Sequence, residues 1–324
     1  MDNKTIYKKT LGFSLRRLFW NFISLLMIVA LSVLGFIITK QIWDLGIIGL
    51  FIGMILGFIV LAVISRFISY SLKAGQIAMM TKGIVDDELP DNVVAEGKKI
   101  VKQRFLTVAL YFAATNAIKS VFNQIGKVIT GVGQNVGGDV GGAVGSTINS
   151  VIQTIISYLC DCCLGWVFYR KDVNAARATC EGAVLFFKHG KTFAKNMGRV
   201  FGIGLVSFIV IAGAFMGIFY LILLTQQTAL SGIYAEIAAS AAESTNTFAR
   251  ILQNPVTVPI VFSFIGGSLV WGFIHSAFIK PFVLVGVLRN YIESGKDEVI
   301  DEASFASLDA KSPKFKKLHE EMNA

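Results

Sequence analysis

Three thiols and a carboxylate fall within four consecutive residues, Cys160, Asp161, Cys162 and Cys163, and Cys180 is the only other cysteine. A zinc site needs four well-placed nitrogen or sulfur ligands, usually as two separated pairs. No second His or Cys pair lies near this cluster, and the three histidines, His189, His275 and His319, are far apart in sequence. The cysteines therefore read as packing thiols facing a reducing compartment, with S-acylation as the chemistry open to thiols beside a membrane. A hydrolase elbow, an HExxH helix, kinase signatures and a dinucleotide fingerprint are all missing. The sequence thus argues for no enzyme, no cofactor and no metal.

A second set of residues takes its meaning from its surroundings. Asn116, Lys119, Asn149, Gln153, Asp161 and His275 are polar positions inside otherwise apolar stretches. At membrane depth each must find a partner away from lipid, which makes such residues candidates for a solute or ion path. Two plainer readings stand beside this one. Lys119 and Asp161 would lie near opposite ends of an antiparallel hairpin, each reaching the membrane interface, and His275 would be a packing residue.

The elements that must position these residues follow from composition. Of 324 residues 54% are hydrophobic and only 16% charged, and the mean hydropathy is +0.64. A water-soluble chain of this length could not hide that much apolar surface. Four runs, 18–39, 45–65, 200–224 and 259–279, contain no Asp, Glu, Lys or Arg, and each meets the ~20 residues needed to cross a bilayer. The first run is long enough to span and is followed at once by a second, so it reads as a permanent helix and not as a cleaved signal.

The net charge of +9 is better read by its distribution than by its sum. Five basic residues precede the first run, and seven fall in each of 66–104, 170–199 and 280–317; only Lys40, Lys119, Lys127 and Arg250 lie elsewhere. Positive charge in alternate loops places both termini on the cytoplasmic side, in keeping with a plasma (inner) membrane protein. Its natural partner is an anionic headgroup surface, not nucleic acid.

Residues 105–123 and 146–169 decide between four and six crossings. If both cross, the basic stretches flanking them stay inside, which gives an all-α polytopic protein of six transmembrane helices. The alternative is a central pair of amphipathic or re-entrant helices buried by the others. Between them, 126–145 holds eight glycines, with Gly133, Gly137, Gly141 and Gly145 recurring every fourth residue. This segment is either a flexible external loop, since glycine at this density is costly in a helix, or a helix whose glycine ridge permits close packing. Gly49, Gly53 and Gly57 repeat the spacing inside a strong span, where a close helix contact is expected.

The two ends of the chain also resemble each other. Lys9, Thr10, Arg17 and Phe19 match Lys191, Thr192, Arg199 and Phe201 at one shift, and Ile68, Gly75 and Asp86 match Ile279, Gly286 and Asp297 at another. This suggests a parallel duplication of a two-helix unit. The expected organisation is a basic N-terminus (1–17), a first unit (18–91), a central hairpin (92–170), a second unit (171–298) and a polar tail (299–324).

The stretch CCLGWVFYRKDVNAARATCEGAVLFFKHGK, residues 162–191, resembles a segment of uncharacterised multi-pass membrane proteins of anaerobic bacteria. That resemblance implies no activity. Two functions fit the pattern. One is a pore or transporter with a polar central helix pair. The other is a non-transporting scaffold or assembly subunit, self-associated or joined to other membrane subunits.

Overall fold

The computed structural model describes residues 1–43, 46–64, 70–105, 115–116, 118–121, 141–242 and 247–323. The described residues are all-helical apart from short turns and connections. In chain order the helices are α1 (Asn3–Trp43), α2 (Gly46–Ile64), α3 (Tyr70–Val85), α4 (Val93–Arg104), α5 (Gly141–Tyr169), α6 (Ala175–Ser207), α7 (Gly213–Thr225), α8 (Gln227–Ala242), α9 (Thr247–Leu252), α10 (Thr257–Ile274), α11 (Lys280–Gly295), α12 (Glu302–Asp309) and α13 (Pro313–Asn323). Two π-helical segments, Phe208–Ala212 and His275–Ile279, join α6 to α7 and α10 to α11.

Helix ends follow local chemistry. Asp87, at φ 59°, turns the chain after α3 in the left-handed region that Asp tolerates better than most residues. The side chains of Asn92, Asn174, Asp301 and Ser312 accept backbone N–H groups at the starts of α4, α6, α12 and α13, filling positions that a helix leaves unpaired.

The chain forms two compact units that interleave in sequence. Unit 1 holds residues 1–14, 70–202 and 280–324, and unit 2 holds 15–69 and 203–279. Among the described residues four helical segments are long and apolar enough to cross a membrane: Asn3–Trp43, Gly46–Ile64, Gly202–Thr225 and Thr257–Gly295. Ile156–Tyr169, part of the arm 146–169 expected from the sequence and of the 29-residue helix α5, is not an outward-facing apolar segment of this kind. It is instead the centre of unit 1, where Tyr158, Leu159, Cys162, Trp166 and Val167 are buried. Around them pack Ile77 and Met80 of α3, Val184 and Leu185 of α6, and Leu288 and Tyr291 of α11. Most of the other arm, and Gly133 and Gly137 with it, lies outside the described residues. Gly141 and Gly145 fall in α5.

Unit 2 has the opposite character. Its large apolar side chains face outward along each segment, as with Phe19, Ile48, Val206, Ile209 and Leu221. In water such a surface would be an association liability, and in lipid it is the ordinary outer face of a span. What holds the helices together is therefore close fit. Gly49, Gly53 and Gly57 of α2 are buried and face α1. A Cβ added at Gly53 would strike the Leu31 carbonyl, and one at Gly57 would lie 2.6 Å from the Ile28 Cα. Without side chains there the backbones approach far enough to gain dispersion contact along their length. Gly53→Leu should therefore lower stability by about 1–3 kcal/mol or more through overpacking. Gly217→Leu, at a position with nothing within 4 Å of the new Cβ, should change it little; thermal unfolding of the two variants in detergent provides the comparison.

Outside unit 1's core, Lys188 donates to Glu298 Oε2 (3.2 Å) and to the Val299 carbonyl (3.1 Å), and His189 Nε2 lies 3.0 Å from Glu298 Oε1. The Lys188 hydrogen bond, with smaller help from His189, holds the Glu298 carboxyl below its usual range. A lowered carboxyl stabilises the fold above the ordinary carboxylate range and stops doing so as the pH falls through the lowered value. Hydrogen exchange at 296–300, corrected for intrinsic rates, should accelerate below about pH 4 and should already be fast at pH 7 in Glu298→Gln.

Candidate functional site

Of the polar residues singled out in the sequence, Asp161 has the most elaborate surroundings. It lies on α5, where Ser157 and Tyr158 share its face at spacings of four and three residues. Helices α3 and α11 pack against α5, and each contributes a lysine. Lys73 Nζ is 2.5 Å from Asp161 Oδ1 and Lys280 Nζ is 2.7 Å from Oδ2. Lys280 also donates to Ser157 Oγ at 2.6 Å, and its ammonium lies 5.3 Å from the centre of the Tyr158 ring. Asp161 is 3% exposed, whereas the side chains of Lys280 and Lys73 are 15% and 36% exposed.

The order of exposure matters. The carboxylate is dry, Lys280 is nearly so, and Lys73 is the outermost member. A buried charge is tolerable only when paired and hydrogen-bonded, and here each carboxylate oxygen has its own cation. Two ammonium groups on one carboxylate leave a net positive charge at the edge of the core.

A second cluster lies at the end of α5 and the start of α6. Glu181 is 3% exposed and is held by Arg170 Nη1 at 2.8 Å, by Arg177 Nε at 3.4 Å and by the Trp166 indole N–H at 3.4 Å. Arg104, from α4, donates to the carbonyls of Val167 (3.0 Å), Arg170 (2.8 Å) and Val173 (2.8 Å). It thereby satisfies carbonyls that the end of α5 and the following turn leave without helical partners. The thiols belong to the same packing. Cys163 Sγ donates to the Thr179 carbonyl at 3.5 Å, and Gly182 lets α6 come so close that an added Cβ would be 2.6 Å from that sulfur.

In unit 2, Arg17 is 7% exposed and its guanidinium donates to the carbonyls of Ser276 and Ala277 (3.3 Å to the latter). Both carbonyls belong to the π segment His275–Ile279, whose wide turn disturbs the regular helical ladder. His275 itself is half-buried with its ring 4.9 Å from that of Trp271, and Trp271 donates to Ser207 Oγ at 3.2 Å.

The remaining sequence candidates are dispersed. Asn116, Lys119 and Gln153 are exposed, Asn149 is in α5 with its side chain outside the described residues, and His275 belongs to unit 2 while Asp161 belongs to unit 1. The partners that complete the charged clusters, Lys73, Lys280, Arg104 and Glu181, were not singled out from the sequence. In the sequence the first three read only as topology-setting positive charge, and Glu181 as a lone acid ahead of an apolar stretch. Among the described residues no group of three or more His, Cys, Asp or Glu is arranged to hold a metal ion.

No protein-family model matches the chain, and no curated protein or solved structure is significantly similar to it. The chemistry of the site must therefore be taken from its own geometry, which offers a fixed ion triad.

Asp161→Leu strands Lys280 in a buried position and should cost about 3–5 kcal/mol, the usual penalty for breaking a buried pair from one side. Asp161→Leu combined with Lys280→Met should recover part of that loss, because neither buried charge remains. A double-mutant cycle on unfolding in detergent measures the difference.

Proposed function

We propose that this chain is an integral membrane protein that acts as a non-transporting anchor or assembly subunit. Four crossings bring both termini to the cytoplasmic face, and the basic segments there meet anionic headgroups and partner subunits. In this reading the Ile156–Tyr169 part of α5 is buried and membrane-proximal, the alternative to a fifth or sixth crossing. The observation that carries it is the pairing of Asp161. A solute path needs its charged groups open to water, yet the only acidic member of the polar set has both oxygens occupied by Lys73 and Lys280 in a dry core. Asn116, Lys119 and Gln153, exposed as they are, suit a surface for partners.

The pore or transporter reading has one observation in its favour. Unit 2 contains an open cavity of about 520 Å³ with mostly apolar walls, to which Asn21, Ser268 and Ser276 add polar groups. Its volume falls in the range of small-molecule sites.

Reconstitution separates the two. Liposomes containing the purified protein should pass K⁺, Na⁺, H⁺, Cl⁻ and small neutral solutes no faster than empty liposomes. A flux that Ser268→Leu or Asp161→Asn abolishes would establish the transport reading instead.

A further inference from the structure

We infer that the open cavity of unit 2 is a seat for one transmembrane helix of a different subunit, a helix with a small-residue face and a hydrogen-bonding side chain. The inference deepens the assembly-subunit reading given above and rests on it.

The cavity follows α10 and the start of the π segment after it. Phe264, Ser268, Gly272 and Ser276 line it at every fourth position, and Asn21 of α1 and Leu61 of α2 line it from the other side. From Phe264 to Ser276 this lining runs about 18 Å, at the 1.5 Å per residue of an α-helix, which is room for three turns of a neighbour.

Ser268, Gly272 and Ser276 form a stripe of small residues, and a Cβ added at Gly272 would meet nothing within 4 Å. Elsewhere in the same unit such stripes are covered by helices. Gly49, Gly53 and Gly57 lie under α1, and a Cβ added at Gly267 would be 2.6 Å from the Ala212 carbonyl oxygen and 2.8 Å from the Met216 backbone nitrogen. Helix α10 therefore has one small face in use against the start of α7 and, beside it, one that is open.

Two polar groups at the open face lack partners. Asn21 lines the cavity, is only 8% exposed and has no hydrogen bond among the described residues, so its amide is open to the cavity. The Ser268 hydroxyl is buried and likewise without a hydrogen-bond partner. Ser24, Ser32 and Ser263 behave differently, each donating to the carbonyl four residues back.

Asn21 and Ser268 fall within the uncharged runs 18–39 and 259–279, and this selects the occupant. In a bilayer polar groups at such positions must be satisfied by protein, because lipid tails have no donor or acceptor. An acyl chain would fill the volume and leave both groups unmet. A helix meets them: small residues let its backbone come close, and a Ser, Thr, Asn or Gln side chain reaches across. A second copy bound by two-fold symmetry brings like patch to like patch, and two grooves set face to face leave a void. A groove is filled by a ridge, which assigns the helix to a different chain.

The test is energy transfer in phosphatidylcholine vesicles between full-length protein labelled at its N-terminus and an acceptor-labelled synthetic peptide. The peptide has about 20 apolar residues, with glycine at every fourth position of one face and one central Asn; a polyleucine peptide of equal length is the control. The glycine–Asn peptide should associate several-fold more tightly than the control. Gly272→Leu fills the groove and should abolish this preference, while Gly217→Leu, equally open but outside the cavity, should keep it. Asn21→Leu should weaken binding roughly threefold to tenfold, the scale of one hydrogen bond between membrane helices, without lowering the thermal stability of the free protein. If Gly272→Leu does not fold, Asn21→Leu carries the test.

Equal binding of the two peptides, or equal losses in Gly272→Leu and Gly217→Leu, would overturn the seat. A destabilised Asn21→Leu would do the same, since the amide would then be satisfied within the chain. Energy transfer between two copies of this chain that Gly272→Leu removes would give the groove to a second copy, and a phospholipid retained through detergent exchange by the wild type but not by Gly272→Leu would give it to an acyl chain; either overturns the assignment. None of these readouts is a flux, so failure of the seat and failure of the anchor reading come from different experiments.

Discussion

A carboxylate that water does not reach must be surrounded by donors before the protein around it can be stable, and Asp161 sets this condition on three helices of unit 1. Helix α5 carries it, α3 must bring Lys73 to one oxygen, and α11 must bring Lys280 to the other. The apolar packing of Trp166, Leu288 and Tyr291 gives most of the attraction but little direction, because burial is proportional to area and indifferent to angle. The ion triad supplies the direction. A rotation of α11 or a slip of α3 by one residue would leave a buried charge without its partner, at a cost comparable to a sizeable part of a domain's net stability.

Unit 2 solves the same problem of register without a buried carboxylate. Lipid tails are as apolar as leucine, so no hydrophobic gain drives its helices together. Contact has to come from shape, and the missing side chains at Gly49, Gly53 and Gly57 provide it against α1. Serines and threonines on these helices turn back on their own carbonyls, as Ser24, Ser32 and Thr39 do on α1, so their hydroxyls need no partner in the surroundings.

The class of fold was legible because it depends on quantities that local sequence carries: four uncharged runs of sufficient length, and glycines spaced to one face. The starts of α4 and α13 could likewise be read from Asn92 and Pro313. The charged site was only half legible. Asp161 stood out as an acid in an apolar stretch, but its partners are far away in sequence, and Lys73 and Lys280 look like any other lysine that follows a span. The same basic residues that report topology supply the counter-ions, and composition cannot separate the two roles. The interleaving of the units was hidden for a related reason. Sequence order suggests successive blocks, whereas packing sorts segments by whether their outward face is apolar, so halves of one continuous helix fall into different units. The π segments left no sequence signal at all, since Phe208–Ala212 is as apolar as its neighbours.

The clasp between Arg17 and the π segment has a bearing on how the chain is made. Arg17 lies at the start of the first apolar helix and the carbonyls it serves lie at the close of the last. During synthesis the guanidinium emerges more than two hundred residues before its acceptors, and until they arrive it must stay at the aqueous edge of the bilayer or borrow other partners. The carbonyls of the π segment thus act as the latch on Arg17 of α1.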